Sequence, residues 1–165
     1  MNDAPSAFWD FSLRFYAEPG VAAACLELQD KGGADINVVL YLFFLAARNR
    51  RLDRDEVARL DAAVAAWREQ IVRPLRALRR RLKSAAPPFD GEAVGRLRED
   101  IKRGELAAER VQQHVIERKF PPATFGAAAV SREAAVRASL DAYAGLVGTL
   151  PADAVHRMIE TFTRP

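Results

Sequence analysis

A single cysteine, Cys25, stands among the 165 residues of this chain. One thiol excludes an intramolecular disulfide and fits a reducing compartment. Long apolar runs are also missing. The greasiest stretch, Val38 to Ala47, falls well short of the roughly 20 residues a membrane span needs. The opening "MNDAPSAFWDF" is acidic and has none of the parts of a secretory signal. A soluble, cytoplasmic protein is the expectation. No Gly-rich phosphate loop, paired CxxC, nucleophile elbow or aspartate-rich prenyl-diphosphate motif occurs. No cofactor or metal is therefore implied, although catalytic groups can converge from distant helices without a motif. Repeats and strand-like alternation are absent too, which points to an all-α fold.

What is present supports one core. Half the residues are apolar, and a chain of this size buries roughly two thirds of its surface on folding. The pattern predicts a single helical domain over 1–165, about six or seven helices around a central apolar helix.

Ser6 is placed to cap a first helix running to Ala17. Its large apolar residues, from Phe8 to Tyr16, cover more than one face, so it should be largely buried. Pro19 suits the first turn of a second helix, which Gly32 and Gly33 stop. Asp35 then stands where a cap belongs, ahead of the apolar helix 36–47. Asn37 would lie in the first turn, where backbone N–H groups still lack partners.

"DRDE" has capping-box spacing, Asp53 with Glu56. Val57, Leu60, Val64, Trp67, Ile71, Leu75, Leu78 and Leu82 follow in one helical phase. This predicts a long amphipathic helix, 54–83, kinked near Pro74 or split there into nearly collinear parts. A helix from about Glu92 to Arg118, capped by Asp90, should bury Val94, Leu97, Ile101, Ala108, Val111 and Val115, with Gly104 allowing close approach of a neighbour. Ser131 caps another helix, and a last one begins near Pro151.

Charge is local. Residues 1–47 carry a net −4, residues 48–83 a net +7, and the rest is balanced. Arg68, Arg73, Arg76, Arg79, Arg80 and Lys83 share an arc beside the apolar stripe, interrupted only by Glu69. The ordinary reading is a solvated face, with arginine stems covering the core edge or acids from 1–47 neutralising it. The functional readings are an acidic protein surface first, then nucleic acid, then anionic lipid. No aromatic interleaving supports single-strand stacking.

Asp35, Asn37 and Tyr41 form a candidate ligand pocket, with Asp35 as base or anchor. Arg48 is a weaker member, because it lies about 20 Å from Asp35 along a straight helix. His114 with Glu117, and Asp153, His156 and Glu160, have spacings that metal ligands use. All five project away from the apolar stripes and read as solvated polar residues. Cys25 lies on an apolar face and reads as an inert thiol.

Two stretches carry a resemblance. "FWDFSLRFYAEPGVAAACLELQDKGGADINVVLYLFFLAARN" and "LDAAVAAWREQIVRPLRALRRRLK" resemble a chiefly proteobacterial family of helical proteins, a domain of unknown function. The resemblance rests on Pro19–Val21, Cys25, Leu28–Asp30, Asp35–Leu40 and Trp67 through Lys83, and spans roughly residues 8–115. It implies no activity. The favoured expectation is a small adaptor that meets an acidic partner through the 68–83 face. The alternative is an enzyme or ligand-binding bundle with a polar site near Asp35 and Asn37.

Overall fold

A computed structural model describes residues 6–89 and 91–164. The proposed cap Asp90 lies outside them. The order is α1 (Ala7–Ala17), α2 (Val21–Gly32), α3 (Ile36–Ala46), β1 (Arg50–Arg51), α4 (Arg54–Trp67), a π-helical turn (Arg68–Val72), α5 (Arg73–Leu82), α6 (Glu92–Lys119), β2 (Ala127–Ala128), α7 (Arg132–Val147) and α8 (Ala152–Thr163). Counting α4, the π turn and α5 as one continuous rod gives seven helices among the described residues. The all-α bundle expected from the sequence is what the chain forms.

Local chemistry explains most of the boundaries. Ser6 Oγ accepts the N–H of Trp9 at 2.9 Å and caps α1. Asp53 and Glu56 form the complete capping box of α4. Ser131 Oγ accepts the N–H of Ala134 and caps α7. Gly33 closes α2 at a φ of 63°, a left-handed conformation that a side chain resists. Pro19 precedes α2 rather than entering its first turn.

The central helix is α3. Every residue from Val38 to Ala46 is buried, and the helix packs against α1, α6, α7 and β1. Aromatic side chains knit α1 onto it: Phe8 meets Tyr41 edge-on with centroids 4.8 Å apart, and Phe15 lies 4.9 Å from Phe43. Such pairs contribute beyond their buried area. α1 buries one face only, however. Leu13 and Tyr16 remain exposed, because the aromatic run exceeds the area that α3 offers.

A two-stranded antiparallel ladder, Arg50 with Ala128 and Arg51 with Ala127, was not signalled by alternation in the sequence. The Arg50 guanidinium reinforces it, donating from Nε to the Phe125 carbonyl at 2.7 Å and from Nη2 to that of Gly126.

The long helix departs from expectation in a way that matters below. The N–H of Arg73 reaches back five residues to the carbonyl of Arg68. This wide turn accommodates Pro74, whose ring would crowd the carbonyl of Gln70 in a straight α-helix. It also inserts roughly one extra residue, equivalent to about 100° of helical phase. Arg68, Val72, Arg76 and Arg79 thus turn inward beside the half-buried Ile71, Leu75 and Leu82, while Leu78 and Trp67 are exposed. Trp67 Nε1 donates to the carbonyl of Ala108 at 3.0 Å instead.

α6 differs as well. Its buried residues are Glu105, Ala108, Gln112, Gln113 and Ile116, and Leu97 lies outside. The face that meets the core is largely polar, so apolar periodicity located it wrongly. Gly104 faces open space rather than a close neighbour. The close approach falls at Gly32, where an added Cβ would sit 2.9 Å from Pro151 at the start of α8.

Candidate ligand cleft

Asp35 is the α3 cap, and more. Its Oδ1 accepts the N–H of Asn37 at 2.9 Å and faces that of Val38 at 3.5 Å. Its Oδ2 accepts from Arg68 Nη1 at 3.1 Å and from Gln112 Nε2 at 2.7 Å. Its own N–H donates to Tyr143 Oη at 2.9 Å. Asn37 sits in the first turn, as its position required, and its Oδ1 accepts from Gln113 Nε2 at 2.8 Å. Helices α3, α6 and α7 and the π turn therefore meet at one buried polar knot.

Arg68 is its cation. Besides Asp35 it holds Asp61 with two hydrogen bonds, at 2.6 and 3.3 Å. Burial disfavours the charged guanidinium, but the bonds and charges of Asp61 and Asp35 outweigh it and raise its pKa further. Two turns on, Arg76 donates to Glu105 at 2.8 Å and to Glu109 at 2.6 Å, and Arg79 donates to Glu105 from both Nε and Nη2. Burial pushes the Glu105 pKa up, yet the hydrogen bonds from Arg79 and Arg76 bring it below the usual range. Glu109 goes the other way. Burial dominates, the charges of Glu105 and Asp35 add to it, and its carboxyl is raised despite Arg76.

The arginine arc is thus no open cationic stripe. Arg68, Arg76 and Arg79 are turned in and matched by carboxylates, mostly from α6 rather than from residues 1–47. Arg80 pairs with Asp30, and Arg73 with Glu69, on the surface; Lys83 is exposed.

Two adjoining clefts open beside the knot. The larger, about 490 Å³, runs between α1, α2, α5 and α6. Its walls are mainly apolar: Trp9, Leu13, Tyr16, Leu26, Leu40 and Leu106. Leu13, Leu26 and Leu106 are each half-exposed at its rim. The smaller, about 360 Å³, lies at the N-terminus of α3 and is polar, with Arg68, Arg73, Arg76 and Arg80 facing Asp30, Asp35 and Glu109. Gln29, Ile36, Asn37, Arg76 and Glu109 line both.

Two residues that line the apolar cleft each carry a fully buried polar atom with no partner. Ser12 is 4% exposed and Gln113 2%, and neither Ser12 Oγ nor Gln113 Oε1 makes a hydrogen bond. Leaving such a group unsatisfied costs about 1–3 kcal/mol. Chemically, the cleft offers mainly apolar walls, with the Glu109 carboxyl and arginines at one end. Cys25 also lines it, but burial pushes the thiol up to about 12, so it stays protonated.

Of the residues singled out from the sequence, Asp35 and Asn37 belong to this site. Tyr41 does not: it is fully buried in the core, its Oη donates to the Phe120 carbonyl, and it lines neither cleft. Arg48 lies at the far end of α3, stacked 3.7 Å above Phe44. Glu117 is not a solvated residue. It accepts Ser6 Oγ at 2.6 Å and the Phe8 N–H at 3.1 Å, fastening the start of α1. His114 is half-buried and its Nε2 has no partner. Sequence reasoning missed Ser12, Glu105, Glu109, Gln112, Gln113 and Tyr143. Ser12 carried a signal, since it stands four residues after Phe8 and three before Phe15, on the helix face that those two bury. Glu105, Glu109, Gln112 and Gln113 sat on positions read as a polar surface, and Tyr143 read only as part of the apolar stripe of its helix.

The chain belongs to the family described as Protein of unknown function (DUF2390), which it matches over residues 7–116. That span contains every residue of both clefts. No curated protein and no solved structure matches the chain. Among the described residues, no helix is long and apolar enough to cross a membrane.

Proposed function

We propose that this protein binds a small organic ligand in the cleft between α1, α2, α5 and α6. The observation that carries this reading is a mainly apolar cleft of about 490 Å³, behind whose wall two buried polar atoms, Ser12 Oγ and Gln113 Oε1, have no partner. A cavity of that size and lining suits a ligand with an apolar body and one or two hydrogen-bonding groups. The reading is one of binding, with no reaction assigned. A cytoplasmic site of action is part of it, supported by the free thiol of Cys25. The adaptor reading has weaker support, because the arginines that it would present are already held by carboxylates.

Native mass spectrometry of the gently purified protein tests the reading. A reproducible small added mass, lost on denaturation, is expected. Leu26→Trp, which fills the cleft from a half-exposed position, should lose that mass with the fold intact. Retention of the same mass by Leu26→Trp would place the ligand elsewhere and overturn the proposal.

A further inference from the structure

The two clefts differ in character and share a wall, and that juxtaposition says what the ligand looks like. The apolar cleft ends at Asn37, Arg76 and Glu109, and the polar cleft begins at the same residues. A molecule whose apolar body fills the first would carry any group at that end into the second. There it would meet four arginines against three carboxylates. Guanidinium groups present planar N–H forks that match phosphate and carboxylate oxygens. Asn37 adds a donor. Its Oδ1 is taken by Gln113, while its Nδ2 makes no hydrogen bond among the described residues, and it stands between the clefts.

Resting on the binding reading above, we infer that the ligand is an amphipathic anion. Its apolar body lies against Trp9, Leu13, Leu26 and Leu106, and its phosphate or carboxylate head reaches the arginine cleft at the N-terminus of α3. The polar knot, in which Arg68 is locked between Asp35 and Asp61, forms the fixed floor of that head site. Arg73 and Arg80 sit at its outer edge in exposed pairs, with Glu69 and Asp30. They are the arginines most readily turned to a ligand, since exposed pairs are weak.

Isothermal titration of the full chain with three probes tests this: 1-naphthol, 1-naphthyl phosphate and inorganic phosphate. The first two share one ring system and differ in the anion. The naphthyl phosphate should bind about tenfold or more tightly than naphthol, an effect typical of a charge-assisted contact. Inorganic phosphate should bind more weakly than either. The double variant Arg73→Gln with Arg80→Gln should erase most of the phosphate advantage and leave naphthol binding unchanged. A thermal melt would show that it remains folded. Equal binding of naphthol and its phosphate overturns the anionic head while the cleft reading stands. Inorganic phosphate binding as tightly as naphthyl phosphate overturns the amphipathic ligand. Failure of both naphthyl probes at millimolar concentration overturns the cleft reading and this inference with it.

Discussion

Arg68 Nη1 donates to Asp35 Oδ2 across 3.1 Å, tying the π-helical turn to the cap of the central helix. Both side chains are largely shielded, and Asp61 holds the same guanidinium at 2.6 Å. Removing one partner from a buried ion pair leaves the other charge without compensation. We expect Arg68→Ala to destabilise the protein by about 3–5 kcal/mol. Arg73→Ala, which breaks an exposed pair with Glu69, should change stability by less than about 1 kcal/mol. Urea unfolding of the two variants checks the contrast. Equal losses would show that the knot carries no special weight.

Ser12→Ala should stabilise the ligand-free protein. The substitution removes a buried hydroxyl that has no partner, and that desolvation contributes about 1 kcal/mol or more. Helix propensity alone accounts for about 0.5 kcal/mol, so the gain should exceed that. The same variant should bind naphthol more weakly. A stabilised protein with weakened binding is the mark of a polar group retained for a ligand. A destabilised variant would mean that the hydroxyl serves the fold.

Glu109 makes a pH prediction. Its folded-state pKa is raised, chiefly by burial. Folding therefore favours its protonated form, and stability falls as pH rises from the ordinary carboxylate value, about 4.3, towards the raised one. Glu105 and Asp30 are shifted down, so their contributions are lost only at and below that ordinary value as pH falls. The two windows do not coincide. Glu109→Gln should remove the fall above about pH 4.3 while keeping an acceptor for Arg76. Stability curves of wild type and variant that run parallel from pH 4 to 8 would refute this.

Gly126 is required by the strand ladder. Its φ is +83°, and an added Cβ would lie 2.6 Å from the Arg51 carbonyl oxygen. Gly126→Ala combines a disfavoured backbone conformation with a clash against rigid main chain. A loss of about 2–4 kcal/mol is expected in chemical denaturation. Gly104→Ala, facing open space inside α6, should instead gain up to about 1 kcal/mol.

The sequence by itself determined the helices and most of their ends. Ser6, Asp35, Asp53 and Ser131 cap where their spacing to the following residues placed them. Those signals are local, since a cap and its N–H partners lie within one turn. The apolar run of α3 likewise announced the centre of the bundle, because only a buried helix tolerates hydrophobic residues all round. Asp35 and Asn37 were legible as a polar pair at its mouth. What they join was not. Tyr143 and Gln112 reach Asp35 from 108 and 77 residues away, and a polar residue on a helix reads the same whether water or a distant carboxylate meets it. The π turn was equally hidden, because Pro74 marks a disturbance without saying how the chain absorbs it. That one wide turn brought Arg68, Val72, Arg76 and Arg79 inward beside the half-buried Ile71, Leu75 and Leu82 of the expected apolar row. Only the tertiary structure, by matching those arginines to Asp35, Asp61, Glu105 and Glu109, decided that they form the end of a cleft rather than an open face.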